Sequence, residues 1–353
     1  MLKPTRGVGF FNGGGEVMAN IDFETLRSTI EKSLLKAGLK PADAETCAQI
    51  HAESTRDGVH SHGIGRVPRF IEYVGKGWVD IDAKPSLVQR LGAIEVLDGG
   101  FGIGVVNALH ATERAMALAR EHGMGLVALR DTTHWMRGGS YGWHAVEQGF
   151  ATIMWTNTES CMPAWGGASQ SIGNNPLVMA VPHSTGPLVL DMAMSQFSYG
   201  KLQTTQLKGE HLPVDGGFDE RGVLSRDPAA IAATRRLLPT GYWKGSGLSI
   251  LLDALAALLA QGRPSHAIDK VQRGSGGGCS QVFMVFDPVQ LGGREACDSI
   301  VEGIQSHLAA TTPAEPGRAV RWPGESTAEQ RYGERSIVID DMLWRSVCEL
   351  AGD

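Results

Sequence analysis

The cysteines of this 353-residue chain do not form the pattern of a disulfide framework or a zinc site. There are five, an odd number, and no Cys-x-x-Cys pair occurs. Small secreted domains and zinc ribbons depend on paired or clustered cysteines, so neither class is indicated. Scattered thiols fit a reducing compartment, and we expect a cytoplasmic protein.

Long apolar runs are also lacking. No run reaches the roughly 20 residues that cross a bilayer, so we expect no membrane partner. The first residues have no apolar core followed by a small-residue cleavage site, which makes them a poor signal peptide. Residues 1–20 are rich in glycine and show no apolar periodicity. We expect them to be a flexible N-terminal extension, or the product of a start codon placed too early.

Positive charge is not in excess. The chain has 32 Lys and Arg against 38 Asp and Glu, a formal net charge of -6, which argues against a general nucleic-acid-binding protein. Hydrophobic residues make up 42% and charged residues 20%, as in a soluble globular protein, and the length suits two or three domains.

The common signatures of nucleotide and metal binding are incomplete. Gly102-Ile103-Gly104 is followed by Asn107 where the third glycine of a Rossmann fingerprint belongs, and there is no Walker A motif. His60 and His62 could form half of a metal site, but no His-Glu-x-x-His motif or Cys/His cluster completes a set of ligands. We expect no metal.

Apolar periodicity predicts a helical region ahead of an α/β domain. Residues 21–80 contain three helical patterns, the first beginning after Asp22, a plausible N-cap, and the second at Pro41. Residues 81–310 alternate strands with helices, which favours a layered α/β architecture. Residues 311–353 are predicted to be a proline-rich linker and a last helix.

Two segments within this pattern have expected roles. Residues 200–244 are polar and turn-rich, and such an irregular insertion usually covers a site or makes a subunit contact. Leu248 to Ala260 is apolar on nearly every face, so we expect a buried helix there.

The stretch from Asp57 to Arg66 carries the residue types of a site for a small anion. His62 can transfer a proton near neutral pH, and Arg66 offers a fork of donors that suits a carboxylate. Ser61 and three glycines allow polar contact and close backbone approach. The alternative is a polar loop between helices, in which one histidine makes a structural hydrogen bond.

A second glycine-rich loop holds His134 and Arg137, which we expect to contact substrate oxygens or to brace the loop. Its residues Gly138 to Gly142 also match Gly-x-Ser-x-Gly, the nucleophile elbow of serine hydrolases. An elbow turns directly from a strand, whereas this strand is predicted to end near Leu129. Asp191 and His211 could complete a triad, but nothing in the sequence ties them to the serine.

Several motifs together resemble the malate/L-lactate dehydrogenase family, which is distinct from the Rossmann lactate dehydrogenases. The resemblance covers residues 20–350. Asn174 stands where the family more often has threonine. In chain order the motifs are Ser61-His62-Gly63 with Arg66, the His134 loop, Ile172-Gly173-Asn174-Asn175-Pro176, Asp191-Met192, Leu238-Pro239 and Lys244-Gly245.

This resemblance implies a non-Rossmann NAD-binding α/β fold, in which a mixed sheet is covered by helices and the N- and C-terminal helices pack together. It also implies a homodimer with each site near the subunit interface, and it accounts for the missing glycine fingerprint. The expected cofactor is NAD as NADH. NADPH is possible, because the sequence does not show whether there is a pocket for its 2′-phosphate. The family's catalytic histidine falls on His62.

The resemblance further assigns residues to the cofactor. The Gly324-Glu325 pair lacks a histidine that the relative has between the two, so its assignment is the weakest. The assigned residues are Pro187, Leu188, Val189, Leu190, Asp191, Met192, Ala193, Trp243, Lys244, Gly324 and Glu325.

Longer segments narrow the likeness to a branch of the family that reduces a sugar-derived 2,3-diketo acid. These are His134 to Trp143, Phe197 to Gly200, Leu212 to Asp219 and Gly241 to Gly247. The implied reaction is hydride transfer from NADH to the C2 ketone. His62 donates a proton to the resulting alkoxide, and Asp191 orients and charges that imidazole. Malate, lactate, ureidoglycolate or a cyclic imino acid are the alternative substrate classes.

Overall fold

A computed structural model describes residues 10–11, 17–333 and 336–353. It divides into two compact units. The terminal unit contains the chain up to Ile81 together with Ser326–Asp353, and the sheet unit is Asp82–Glu325.

The helices and strands have the following bounds. The helices are α1 (Phe23–Lys36), α2 (Pro41–Arg56), α3 (Val67–Gly75), α4 (Gly104–His122), α5 (Gly139–Glu147), α6 (Tyr199–Leu207), α7 (Pro228–Thr234), α8 (Trp243–Ala260), α9 (Ser265–Ile268), α10 (Pro288–Gly292), α11 (Arg294–Ala309), α12 (Glu325–Tyr332) and α13 (Asp341–Ala351). The strands are β1 (Phe10–Phe11), β2 (Val17–Ile21), β3 (Ser86–Leu91), β4 (Ile94–Asp98), β5 (Met124–Thr132), β6 (Ala151–Thr156), β7 (Leu177–Val181), β8 (Leu188–Met192), β9 (Gly217–Phe218), β10 (Leu224–Ser225), β11 (Cys279–Phe286) and β12 (Ile337–Asp340).

The terminal unit joins the two ends of the chain. Helix α13 packs on α1, which confirms that the N- and C-terminal helices lie together. Asp22 caps α1 as predicted, because its side chain accepts a hydrogen bond from the Thr25 backbone N–H at 2.9 Å. Strand β2 pairs antiparallel with β12, and Ile21 lies opposite Ile337.

This pairing corrects part of the sequence expectation for residues 1–20. Residues 17–20 belong to β2, and Met18, Ala19 and Asn20 are paired with β12, so they are not a tail. The sequence signal was weak because a strand this short shows almost no alternation. Residues 1–9 and 12–16, which carry most of that expectation, lie outside the described residues.

The sheet unit is built on seven strands in the order β3-β4-β5-β11-β6-β7-β8. Strands β4 and β5 are parallel, joined by the crossover helix α4, and the other neighbours are antiparallel. Successive side chains of a strand point to opposite faces. Val127 and Leu129 accordingly enter a core with α4 and α5, whereas Leu126 and Ala128 enter a core with α8. The predicted mixed sheet covered by helices is confirmed.

Helix α8 differs from the prediction of a buried helix, which was wrong for one of its faces. Leu252 and Ala256 are buried in the core beneath it, but Leu251 and Leu258 are 60% and 72% exposed. A helix lying on a sheet buries a single face, so its apolar outer face stays uncovered in one chain.

The apolar composition of α8 also meets the length and hydropathy criteria for a membrane span, alone among the described helices. A third of its apolar window is buried inside the protein, and the core helices of soluble proteins meet the same criteria. This is therefore weak support for a bilayer.

The segment expected to be irregular, residues 200–244, contains regular structure. Most of α6, the β9–β10 hairpin and α7 lie in it, and α12 begins within the predicted linker of residues 311–335. Leu202 and Ile231 join the core beneath α8, so the insertion is packed against the sheet unit.

Candidate active site

His62 lies in a tight loop between α2 and α3. It ends the first of two 3₁₀ turns, His60–His62 and Ile64–Arg66. Its backbone N–H donates to the Val59 carbonyl at 3.1 Å, and the Val59 N–H donates to a carbonyl of α2 at 2.8 Å. The Ser61 hydroxyl and His62 Nδ1 are 3.0 Å apart and hydrogen bonded, so the imidazole is held through its Nδ1 side.

Two side chains of α2 anchor this loop. Thr55 Oγ1 accepts from the Ile64 N–H at 2.8 Å, and the His51 ring lies 3.0 Å from the Gly63 carbonyl oxygen through Nδ1. A Cβ on Gly63 would lie 2.8 Å from the Thr55 backbone nitrogen, so only glycine allows this close approach. The backbone next to His62 is therefore fixed to α2.

His51 and Thr55 were missed by the sequence interpretation. Their spacing of four residues on a helix places them on one face, directly before the polar loop, and that was the available signal. Arg66 closes the second turn and is partly exposed. Burial lowers the pKa of the neighbouring His60, which favours its neutral form.

In the sheet unit, the loop between β5 and α5 fixes the ring of His134. His134 Nδ1 accepts a hydrogen bond from the Met136 backbone N–H at 2.9 Å. A ring nitrogen that accepts carries no proton, so the neutral ring carries its proton on Nε2. Met136 has a φ of 63°, a left-handed conformation that costs energy in residues other than glycine. His134 is thus prepared to act as an Nε2–H donor.

The same loop reaches Asp191 on β8. The Gly139 N–H donates to Asp191 Oδ2 at 2.8 Å. Arg137 Nε lies 3.8 Å from the same oxygen, and the side chains of Arg137 and Asp191 are 6% and 25% exposed. A Cβ on Gly139 would lie 2.7 Å from this oxygen. The structure therefore brings the predicted site residues Arg137 and Asp191 together.

The Asp191 carboxyl sits in a recess whose effects on its pKa oppose one another. Burial raises the pKa, whereas the positive charge of Arg137 and the Gly139 N–H lower it, and the net direction is upward. Although a quarter of the side chain reaches the surface, most of the surrounding volume is protein. The carboxylate therefore depends on Arg137 and Gly139 to stay charged.

The residues assigned to a cofactor gather along β8. The Val189 N–H donates to the Pro323 carbonyl at 3.0 Å. Gly324 has a φ of 92°, and a Cβ there would lie 2.9 Å from the Val189 nitrogen. Glu325 Oε2 is buried and has no hydrogen-bond partner among the described residues, while Arg321 Nε lies 3.8 Å from it as an ion-pair partner. The structure thus brings Gly324 and Glu325 beside the cofactor residues assigned to β8, and leaves an acceptor that a ligand hydroxyl could satisfy.

The start of α8 reaches the other end of β8. The Thr240 N–H donates to the carbonyl of Met194, just beyond the strand, at 2.8 Å. Trp243 and Lys244 then open α8, with Trp243 63% exposed. Helix N-termini favour negative ligands such as phosphates. This donor set fits a phosphate-bearing cofactor.

Asn174 and Asn175, part of the sequence motif, hold the surrounding strands. The Thr158 N–H donates to Asn175 Oδ1 at 2.9 Å, and Asn175 Nδ2 donates to Ser249 of α8. The Asn174 carbonyl accepts from the Met194 N–H at 2.7 Å. The motif thus ties the end of β6, the end of β8 and α8 into one frame.

The hydrolase alternative is not supported by the surroundings of Ser140. Its side chain is 3% exposed, whereas a nucleophile must be reached by the substrate. Asp191 accepts from the Gly139 backbone instead of from a histidine. Within residues 17–333 and 336–353, no group of three His, Cys, Asp or Glu side chains is placed to hold a metal.

Comparison with known proteins identifies the relatives of this chain. Residues 21–348 match the family model of malate/L-lactate dehydrogenase. The chain is 43% identical over 330 residues to the 2,3-diketo-L-gulonate reductase of Klebsiella pneumoniae (strain 342), covering 93% of this chain and 98% of the relative. It is 41% identical over 331 residues to the protein of the same name from Shigella boydii serotype 4 (strain Sb227), with the same coverage.

A solved structure agrees with these relatives. The sulfolactate dehydrogenase from Methanocaldococcus jannaschii has a TM-score of 0.83 at 27% identity, covering 94% of this chain and 97% of that chain. All of these proteins are oxidoreductases by name, and dehydrogenase chemistry suggests a nicotinamide cofactor. From its family match, its relatives and its fold, this chain belongs to the malate/L-lactate dehydrogenase family of oxidoreductases.

Proposed function

We propose that this enzyme reduces 2,3-diketo-L-gulonate to 3-dehydro-L-gulonate with NADH. The substrate follows from the relatives that carry this name at 41–43% identity over nearly their full length. The observation that carries the chemistry is the anchoring of the His62 loop on α2. A general acid needs a fixed position, because misplacement by about 1 Å can cost about a hundredfold in rate.

Residues along β8 and at the start of α8 would hold the nicotinamide cofactor, which supplies the hydride when bound. The lack of a side chain at Gly324 lets its backbone lie close against β8. Glu325 Oε2 would accept a hydrogen bond from a cofactor hydroxyl. Lys244 is the single cation among the assigned residues. Because an acidic side chain such as Glu325 suits the ribose hydroxyl of NADH better than a 2′-phosphate, we propose NADH, with NADPH as the alternative.

His62 is the proposed proton donor. Reduction of the ketone leaves an alkoxide, and protonated His62 gives it a proton, a role worth about 10²- to 10⁴-fold in rate. The Ser61 hydroxyl fixes the ring through Nδ1. Arg66, one 3₁₀ turn beyond His62 in the same loop, is proposed to bind the substrate carboxylate with paired N–H donors.

His134 is the proposed donor to a substrate oxygen, which its Nε2–H tautomer suits. Arg137 is buried beside Asp191, which supports a role in stabilising that carboxylate. Its direct contact with substrate stays a prediction, and so does the action of Asp191 on the His62 imidazole.

We further propose that the enzyme is a cytoplasmic homodimer that uses the outer face of α8. Large contiguous exposed apolar patches usually mark interfaces. A second copy is the proposed occupant, because Leu91 of the edge strand β3 and its partner Ile94 of β4, on the same face of the sheet as α8, are also exposed (69% and 39%). The outer face of α8 consists of Leu248, Leu251, Leu255 and Leu258.

Light scattering at micromolar concentration tests this interface. Leu251→Glu with Leu258→Glu should give a monomer, because two buried charges would have to be desolvated in each copy. Leu291→Glu, on an equally exposed leucine of α10 (77%), should leave the dimer intact. A wild-type monomer would contradict the proposal.

The reaction is tested by cofactor absorbance with purified enzyme and a panel of 2-oxo acids. We expect oxidation of NADH with 2,3-diketo-L-gulonate at a higher kcat/KM than with pyruvate, oxaloacetate, the 2-oxo acid of ureidoglycolate or a cyclic imino acid. A higher kcat/KM for one of those compounds would reassign the substrate within the family. Failure to oxidise NADH or NADPH with every member of the panel would refute the proposed reaction.

A further inference from the structure

A glycine-rich segment ahead of β11 packs on His134. In this segment, Arg273 to Gly278, Gly276 has a φ of 79° and is buried. A Cβ on Gly276 would lie 2.8 Å from His134 Cβ and 3.0 Å from its Cδ2. The Gly278 N–H donates to the Thr132 carbonyl at 2.8 Å, which fixes the end of the segment to β5. The imidazole therefore lies directly against this backbone.

Glu159 holds that segment in place. It follows β6, and its two carboxylate oxygens accept separate hydrogen bonds. The Ser275 hydroxyl donates to Oε1 at 2.6 Å, and the Gly276 N–H donates to Oε2 at 2.9 Å. Glu159 is in turn positioned by its neighbour Thr158, whose N–H donates to Asn175 Oδ1 at 2.9 Å. Hydrogen bonds to an ionised acceptor are among the stronger ones in proteins.

We propose that Glu159 is a positioning residue for His134. The Met136 N–H donates to the ring at Nδ1, and a tilt of the ring about this bond would move it against the Gly276 backbone. The backbone of Gly276, held by Glu159, blocks that tilt. The Nε2–H then keeps one direction toward the substrate oxygen. The proposal rests on the proposed function, in which His134 contacts the substrate.

Substitutions of Glu159 test this arrangement in the full-length enzyme. Glu159→Ala removes both hydrogen bonds and should raise the KM for the 2-oxo acid about tenfold, since a bond to a charged group is worth at least that factor. The KM for NADH should change less than about twofold. Glu159→Gln should remain within about threefold of the wild-type KM, because its amide can accept from Gly276 and donate to the Ser275 hydroxyl.

A double-mutant cycle with His134→Gln identifies the route of the effect. If Glu159 acts through His134, Glu159→Ala should have little further effect on substrate KM in the His134→Gln background. Additive effects would overturn the proposal, because Glu159 would then act on the substrate independently. Equal KM values for wild type and Glu159→Ala would overturn it as well.

Glycine variants provide a matched control. Gly276→Ala should raise the substrate KM, because its methyl group would meet the His134 ring. Gly317→Ala has the same φ of 79° with nothing within 4 Å, so it carries the backbone cost without the contact and should leave KM unchanged. Equal KM values for these two variants would show that the contact with His134 is unimportant.

A readout without turnover separates this proposal from the proposed function. In histidine-labelled protein, the NMR signals of the His134 ring nitrogens, assigned by their loss in His134→Gln, should show the Nε2–H tautomer in wild type. In Glu159→Ala they should shift and broaden as the ring gains mobility. If no 2-oxo acid is reduced but these signals respond as expected, the proposed function fails and the positioning holds. If the substrate is reduced and the signals do not respond, the positioning fails alone.

Discussion

His51 should make the stability of this enzyme fall on mild acidification. The side chain is fully buried in α2, and its ring makes one hydrogen bond, to the Gly63 carbonyl at 3.0 Å. A carbonyl can only accept, so Nδ1 carries the proton. Nε2 is left buried and without a hydrogen-bond partner among the described residues. A proton added there would put a charge into an apolar site.

The pKa of His51 determines the size of the effect. The pKa falls from 6.5 to about 4, chiefly because of burial; the hydrogen bond to Gly63 opposes the fall and the positive charge of Arg66 adds to it. In the unfolded chain the same ring titrates near 6.5, so between these values the unfolded state binds more protons. Stability therefore rises with pH. It is fully present above about pH 6.5 and is lost as pH falls toward about 4.

The magnitude follows from the difference between the two pKa values. A difference of about 2.5 between 6.5 and about 4 corresponds to roughly 3 kcal/mol, at about 1.4 kcal/mol per unit. That is a large fraction of the stability of a typical domain, which is about 5–15 kcal/mol. Carboxylates also titrate below pH 6, so the wild-type curve alone cannot isolate His51.

The matched variant is His51→Asn, whose amide nitrogen can replace Nδ1 as donor to Gly63 but cannot be protonated in this range. Urea unfolding followed by tryptophan fluorescence at pH 7.5, 6.5, 5.5 and 4.5 gives the free energy of unfolding of both proteins. We expect the variant to be less stable at pH 7.5 by about 1–3 kcal/mol from lost packing, with the difference closing as pH falls. Parallel curves over the whole range would refute the reasoning.

Three further outcomes are expected. Arg66→Lys should raise the KM for the 2-oxo acid at least about tenfold more than the KM for NADH, since lysine keeps the charge but loses the paired donors; an unchanged substrate KM would remove Arg66 from the site. His62→Ala should lower kcat by about 10²-fold or more while NADH binding, followed by fluorescence, stays intact; more than about a tenth of wild-type kcat would mean that His62 is not the proton donor. Deletion of residues 1–21 should lower the melting temperature, because β12 loses its sheet partner β2. Deletion of residues 1–9 is the control. Equal melting temperatures of the two deletion variants would show that the β2–β12 pairing contributes nothing.

The local features of this protein are determined by the sequence itself. Asp22 before an apolar periodic stretch marked the start of α1, and Gly123 marked the end of α4, where it adopts a φ of 81°. Caps, periodicity and left-handed glycines act within a few residues, so a single sequence is enough to show them.

The candidate site was determined in part by sequence and in part by tertiary structure. The residue types at His62, Arg66 and His134 indicated proton transfer and anion binding before any fold was known. The contact of Gly139 with Asp191 and that of Gly324 with Val189 join residues far apart in the chain. Such contacts depend on strand order and register, which periodicity does not encode.

Helix α8 is a second case in which the sequence was not sufficient and the tertiary structure decided the outcome. Its composition is apolar on nearly every face, and that pattern alone cannot tell a helix buried all round from one with a face left for a partner. Only its position on the sheet decided that Leu252 and Ala256 are buried while Leu251 and Leu258 are exposed. Likewise, the role of His51 depends on how deeply α2 buries it and on its contact with Gly63, because the pKa of a side chain follows from its surroundings in space.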